Sequence, residues 1–261
     1  MAGAGQDWSS RARDVYRAAD RKAIPFCAAA DGQGRAAPFE CAAMTFSLLG
    51  HCARTGQFGA ACTTSSIGIG ARVPFLAART GGVLTQHRTD PRLGPRGLAL
   101  LRSGCTAQET VAALVASTPD HGWRQLAVLD AAGHTAHFHG ARMKPAHAEA
   151  HGPGCVAIGN IMASEKVPQA MLEAFLAEPG APLATRLLAA LQAGEDAGGE
   201  GRPLVSAALV VVAGESFPLV DLRVDRDAAP LAALAALWRD YAPLAEEYVL
   251  RAVAPDSAVG G

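Results

Sequence analysis

From Thr45 onward the chain alternates between faces: Phe46 and Leu48 alternate with Thr45, Ser47 and Leu49, the pattern of a strand with two distinct sides. Arg54-Thr55-Gly56-Gln57 supplies a turn, and Phe58 to Thr63 forms a second strand of small residues, so the two predict a hairpin. Thr64 to Gly70 reads as a loop of Ser, Thr and Gly, followed by a buried strand over Val83 to Gln86. A helix is predicted over Pro95 to Arg102. A second opens at Thr106, where Glu109 three residues on completes a capping-box signature ahead of Val111, Leu114 and Val115. Arg124 to Asp130 and Thr135 to His139 flank Ala131-Ala132-Gly133-His134 as a further hairpin, and Cys155 to Asn160 is one more strand.

Helical spacing then returns in two stripes, Leu172, Phe175 and Leu176, then Leu183, Leu187 and Leu191, divided by Glu178-Pro179-Gly180. Leu204 to Val212 and Leu219 to Val224 are strands, and Leu231, Leu234, Leu237, Trp238 and Tyr241 trace a last amphipathic helix. Hairpins and helix pairs come in groups rather than in strict alternation, which excludes a parallel doubly wound sheet. The expected class is α+β: two mainly antiparallel sheets packed face to face, with helices on the outer faces. Residues 1–43 show no sustained period and are expected to be an extension, disordered or absent from the mature protein. The folded domain then spans 44–251, with a loose tail over 252–261.

The 261 residues carry a formal net charge of -1, so long-range attraction to nucleic acid or an anionic membrane is not expected. No apolar run approaches the ~20 residues that cross a bilayer, and the opening residues lack the apolar core of a secretory signal, so the expected location is cytoplasmic. The six cysteines contain no CxxC pair, which points to buried thiols rather than a zinc knuckle or a disulfide framework.

Met44-Thr45 carries the candidate chemistry. A threonine hydroxyl needs a base to take its proton, and when threonine is the chain terminus its own α-amine, with a pKa of about 7.7–8.0, is that base. A methionine directly before a small residue is the substrate of a methionine-removing aminopeptidase. Thr45 is therefore exposed either by translation starting at Met44 or by cleavage of the Met44-Thr45 bond.

Several stretches together resemble a bacterial family of unknown function whose members open Met-Thr-Phe-Ser and which is similar to the N-terminal-nucleophile (Ntn) hydrolases. They are Met44-Thr45-Phe46-Ser47, Arg54-Thr55-Gly56, Thr63-Thr64-Ser65-Ser66 with Gly70, Thr85-Gln86, Asp90-Pro91-Arg92-Leu93-Gly94-Pro95-Arg96-Gly97, Arg124-Gln125-Leu126-Ala127-Val128, Gly159-Asn160 and Val220-Asp221-Leu222-Arg223-Val224-Asp225. The resemblance implies a four-layer αββα sandwich and a terminal nucleophile at Thr45. It does not supply a substrate. Two features depart from the family: the extension before Met44, and His137-Phe138-His139 in place of smaller residues.

Amide hydrolysis through Thr45 requires hydrogen-bond donors at the oxyanion, and Asn160, ending a strand after Gly159, is the catalytic candidate beside Thr45. Thr64, Ser65, Ser66 and Gln86 are candidates for oxyanion or substrate binding; Asp90 and Arg96 stand in a rigid turn whose arginine is suited to a substrate carboxylate. Each has a structural alternative: a turn asparagine, local backbone bonding, or pairing of Arg96 with Asp90 or Asp221.

The histidines at 134, 137, 139, 147 and 151 raise a metal-dependent enzyme as a rival. Carboxylate or cysteine partners at ligand spacing are missing, so no metal or other cofactor is expected. The leading expectation is an Ntn-type amidohydrolase acting on a small amide. The alternatives are a non-catalytic binding or assembly protein on the same fold and a histidine-dependent metal enzyme. Expected partners are the small amide and further copies of the chain.

Overall fold

The computed structural model describes residues 45–258, so the expected extension over 1–43 and the last residues of the tail lie outside the described residues. Strands β1 (Thr45–Cys52) and β2 (Gln57–Thr64) form the predicted hairpin at the centre of a six-stranded sheet. With β7 (Ala148–Gly152), β8 (Cys155–Asn160), β9 (Ser206–Val212) and β10 (Val220–Val224) its order is β10-β9-β2-β1-β8-β7. The second sheet has the order β3-β4-β5-β6, from β3 (Pro74–Ala77), β4 (Gly81–His87), β5 (Arg124–Asp130) and β6 (Thr135–His139). Every pairing within them is antiparallel.

Helices α1 (Leu93–Arg102) and α2 (Ala107–Ala116) cover the outer face of the four-stranded sheet. Helices α3 (Val167–Ala177), α4 (Leu183–Asp196) and α5 (Pro230–Tyr241) cover that of the six-stranded sheet. The result is the four-layer αββα sandwich, reached because the central strands β1, β2 and β8 bury both faces.

The alternation in β1 distributes its side chains as the pattern predicts: Phe46 and Leu48 pack with Phe175 and Leu187 under the helices. Leu49 joins Leu84, Leu129, Val156 and Ile158 between the sheets. Each such leucine or phenylalanine, fully withdrawn from water, stabilises the fold by about 1.5–3 kcal/mol. Gly50 and Gly59 face each other across the hairpin. A Cβ at Gly50 would lie 2.4 Å from the Phe175 ring, and one at Gly59 2.6 Å from Leu187, so these glycines let α3 and α4 seat directly on the sheet.

The capping box at Thr106 forms as expected, with the Glu109 amide donating to Thr106 Oγ1 and the Thr106 amide to Glu109 Oε2 at 2.8 Å. Three elements escape the sequence pattern. Strands β3 and β7 are short edge strands without clean alternation, and α6 (Ala245–Val253), followed by a 3₁₀ turn over Pro255–Ser257, carries helical order into the region expected to be a loose tail. Cys52, Cys62, Cys105 and Cys155 are free thiols. Cys52 and Cys62 lie on opposite faces of the sheet, in different cores, so the hairpin does not bring them together. No helix among the described residues is long and apolar enough to cross a membrane.

The two ends of the sandwich differ in connectivity. The β1–β2, β3–β4, β5–β6, β7–β8 and β9–β10 turns all fall at one end. At the other end β1 starts, β2, β4 and β8 finish, and the chain leaves β4 and β8 for helices.

Candidate functional site

Thr45 is the first residue of β1 and lies at this second end, opposite Thr64 on one side and Asn160 on the other. Its period-two partners Ser47 and Leu49 share its face, so its side chain belongs to the layer between the sheets. It is 5% exposed, and its Oγ1 donates to Thr64 Oγ1 at 3.3 Å.

Beneath it runs a chain of buried side-chain amides. Ser47 Oγ donates to Gln86 Oε1 at 2.7 Å, and Gln86 Nε2 donates to Gln125 Oε1 at 2.7 Å. Asn160 Nδ2 donates to the same Gln125 oxygen at 2.8 Å. Gln125 Nε2 in turn donates to the Gly159 carbonyl at 2.8 Å and lies 3.0 Å from His139 Nε2. Ser47, Gln86, Gln125 and Asn160 are each 0% exposed, so every polar atom here must find a partner or carry a desolvation penalty. One does not: Asn160 Oδ1 has no hydrogen-bond partner among the described residues.

Local backbone geometry delivers these side chains. Gln86 is the last residue but one of β4 and Asn160 ends β8, and each is followed by a residue in the left-handed region, His87 at φ 66° and Ile161 at φ 55°. For a β-branched residue such as Ile161 that conformation is strained, and strain of this kind gathers at functional sites.

The remaining candidates divide. Thr64 is buried beside Thr45, and its Oγ1 lies 3.4 Å from Ser66 Oγ. Ser66 is held by the Arg72 guanidinium and, through its carbonyl, by Ser206 Oγ at 2.6 Å. The Ser65 amide is already committed, donating to Glu200 Oε2 at 2.8 Å. Asp90 lies in the loop after β4, clamped by Arg92 Nε and by the Arg92 terminal nitrogen, each at 2.8 Å, which holds its carboxyl below the usual range. Arg96 projects from the solvent side of α1 to Ser117 Oγ at 2.5 Å, whereas Asp221 pairs with Arg223. The structure thus gathers Thr45, Thr64, Gln86 and Asn160, sets Ser65 and Ser66 at their rim, and engages Asp90 and Arg96 with other partners.

Sequence reasoning assigned no role to Ser47, Gln125 or Glu200. Ser47 was within reach, since strand alternation puts it on the Thr45 face. Gln125 becomes legible only once β4 and β5 are paired in a register that sets it opposite Gln86. Glu200 joins through a bridge to Met162 after a long excursion of the chain. Burial pushes the Glu200 carboxyl up to about 8. Burial likewise pushes the Cys62 thiol, paired opposite Ser47, up to about 12, so it stays protonated and is no rival nucleophile.

A second cluster lies nearby. His137 and His139 on β6 meet Glu149 on β7, their ligand atoms all within 4.8 Å of one another, and burial lowers the His139 imidazole to about 4. The carboxylate that the sequence spacing did not supply comes from another sheet. A cavity of about 610 Å³ opens elsewhere, between β3, α1 and the β9–β10 edge. Its lining includes Phe75, Arg79, Arg102 and Arg223 and none of the Thr45 group.

Comparison with known proteins places the chain. The profile of a family of unknown function, DUF1028, matches residues 45–234, opening at Thr45 itself. The chain is similar to protein SPO2555 from Silicibacter pomeroyi, whose crystal structure is described under the same family. The two are 32% identical with a TM-score of 0.71, over 76% of this chain and 86% of that one. No curated protein matches significantly.

Proposed function

The chain belongs to the DUF1028 family, and we propose that it is an Ntn-type hydrolase that cleaves the carbon-nitrogen bond of a small amide through Thr45. The observation that carries this reading is the position of Thr45: first residue of a central strand, hydroxyl turned into the layer between the sheets, opposite an asparagine with a buried, unpaired oxygen. The family match beginning at residue 45 supports it, because the shared domain then opens on the residue that must become the terminus.

In the reaction Thr45 Oγ1 attacks the amide carbonyl carbon while the α-amine of Thr45 takes the hydroxyl proton. The resulting ammonium gives that proton to the departing amine as the carbon-nitrogen bond breaks, leaving an acyl ester on Oγ1. Water then attacks the ester, with the same amine as base, and releases the acid and the free threonine. Asn160 Oδ1 is an acceptor suited to the ammonium, and the second Nδ2 hydrogen of Asn160 and the Thr64 hydroxyl are donors suited to the oxyanion. The amide chain through Gln125 and Gln86 fixes Asn160 in place, as a preorganised site requires.

The test is N-terminal sequencing of protein from its native host, followed by intact-mass measurement after exposure to an acylating amide or ester probe. The expected result is a chain beginning at Thr45 that gains one acyl group, with a Thr45→Ala variant that folds but is labelled at least ~100-fold more slowly. A mature chain retaining the residues before Thr45, or equal labelling of both proteins, would overturn the reading in favour of a non-catalytic binding protein.

A further inference from the structure

Strands β6 and β7 are the edge strands of the two sheets on the same side of the sandwich. His137 and His139 share one face of β6, and Glu149 and His151 share one face of β7, so the four converge across the gap between the sheets. His137 Nε2 lies 3.5 Å from Glu149 Oε1, and His139 Nδ1 lies 3.7 Å from Glu149 Oε2. These separations are too long for good hydrogen bonds. They match two ligand atoms that share one ion at about 2.0–2.2 Å each in a tetrahedral array, which sets the ligands roughly 3.4 Å apart.

We infer that His137 Nε2, His139 Nδ1 and Glu149 form a binding site for a divalent transition-metal ion of the zinc class, with the remaining position open to solvent. The surrounding bonds prepare it. His137 Nδ1 lies 2.8 Å from His151 Nε2, and His151 Nδ1 lies 2.7 Å from Thr135 Oγ1. When both Nδ1 atoms donate along this line, His137 Nε2 is left with its lone pair directed at a carboxylate. A cation between them turns that repulsion into two bonds.

His139 links the ion to the amide chain. Gln125 Nε2 now donates to His139 Nε2, which places the histidine proton on Nδ1. Ligation at Nδ1 moves that proton to Nε2, which then needs an acceptor, so Gln125 must turn its oxygen toward His139. Gln86 and Asn160 are also amides and can reverse with it. In the reversed chain Asn160 Oδ1 accepts from Gln125 and is no longer unpaired, while the Gly159 carbonyl loses the Gln125 donor.

The site stands whether or not Thr45 is a nucleophile, and its test reads metal rather than activity. Full-length, untagged protein is stripped with a chelator and titrated with Zn²⁺ against a chromophoric competitor. One ion per chain is expected, with micromolar or tighter binding that Thr45→Ala leaves unchanged. His139→Ala and Glu149→Gln are each expected to weaken it by about 30-fold or more, and Gln125→Glu, which offers the His139 Nε2 hydrogen a carboxylate, to tighten it about tenfold. His137→Ala, at the sheet edge, guards against a folding artefact in any one variant. Binding weaker than about 100 μM, or binding indifferent to Glu149→Gln and both histidine variants, overturns the site; weaker binding by folded Gln125→Glu overturns the link to the amide chain.

Discussion

The two ends of the layer between the sheets are built from opposite materials. At the hairpin end Leu49, Leu84, Leu129 and Val156 pack as hydrocarbon, and the tight turns carry their left-handed residues largely on glycine, at Gly56, Gly133 and Gly154. At the Thr45 end the same strands bury Ser47, Gln86, Gln125 and Asn160, and left-handed conformations fall on His87 and Ile161. The first end follows the rules that stabilise a sandwich. The second departs from them in buried amides, an unpaired oxygen and backbone strain, and such departures gathered at one place are what the proposed site at Thr45 accounts for.

The contrast breaks most sharply at Gln125, which bonds four neighbours, Gln86, Asn160, the Gly159 carbonyl and His139. Gln125→Leu nearly conserves volume, leaves Gln86 Nε2 and Asn160 Nδ2 without their acceptor, and removes the Gln125 donor from the Gly159 carbonyl and His139 Nε2. The expected loss is about 4 kcal/mol in urea unfolding, from two or three stranded groups at about 1–3 kcal/mol each. Adding Gln86→Leu, Asn160→Leu and Ser47→Ala should recover most of that loss, because an apolar layer needs no partners. If the multiple variant stays as unstable as the single one, the polar end is structural after all. At the hairpin end Leu129→Ala should cost about 3 kcal/mol through its cavity, and no second apolar truncation should restore it.

Glu200 sharpens the same comparison through pH. Below its ordinary value of 4.5 the carboxyl is protonated in folded and unfolded chains alike, so it makes no difference to stability. As pH rises the unfolded chain ionises first, while the buried group holds its proton until about 8, so stability is lost across that window. Glu200→Gln should match the wild type near pH 4 and exceed it progressively toward pH 8, by on the order of 2 kcal/mol, in thermal melts across that range. A difference that is constant with pH would mean the carboxyl is not held protonated.

Legibility in the sequence follows the same divide. The hairpin end was readable because it obeys local rules: alternation in β1, the run of small residues in β2, Gly-centred turns and the capping box at Thr106 each act within a few residues. Thr45, Thr64, Gln86 and Asn160 could be named because each carries a polar side chain at or beside the end of a strand. The bonds that join them could not, since Gln86 meets Gln125, and Glu149 meets His137 and His139, only after pairings between distant strands and sheets. Asp90 and Arg96 show the converse. Their conspicuous turn is satisfied by Arg92 and Ser117, partners within about a helix length in the chain.

The finest distinction lies at Ile161. At an ordinary position alanine is more stable than glycine by about 0.5–1 kcal/mol, because glycine loses more freedom on folding. At φ 55° the order should reverse, since only glycine adopts this region without its Cβ meeting the carbonyl oxygen. Ile161→Gly and Ile161→Ala forfeit nearly the same half-buried side chain, so their difference isolates the backbone term. The glycine variant should be the more stable by about 1 kcal/mol in denaturant unfolding. If alanine wins, Ile161 is not strained, and the strands at the Thr45 end break as comfortably as the turns at the other.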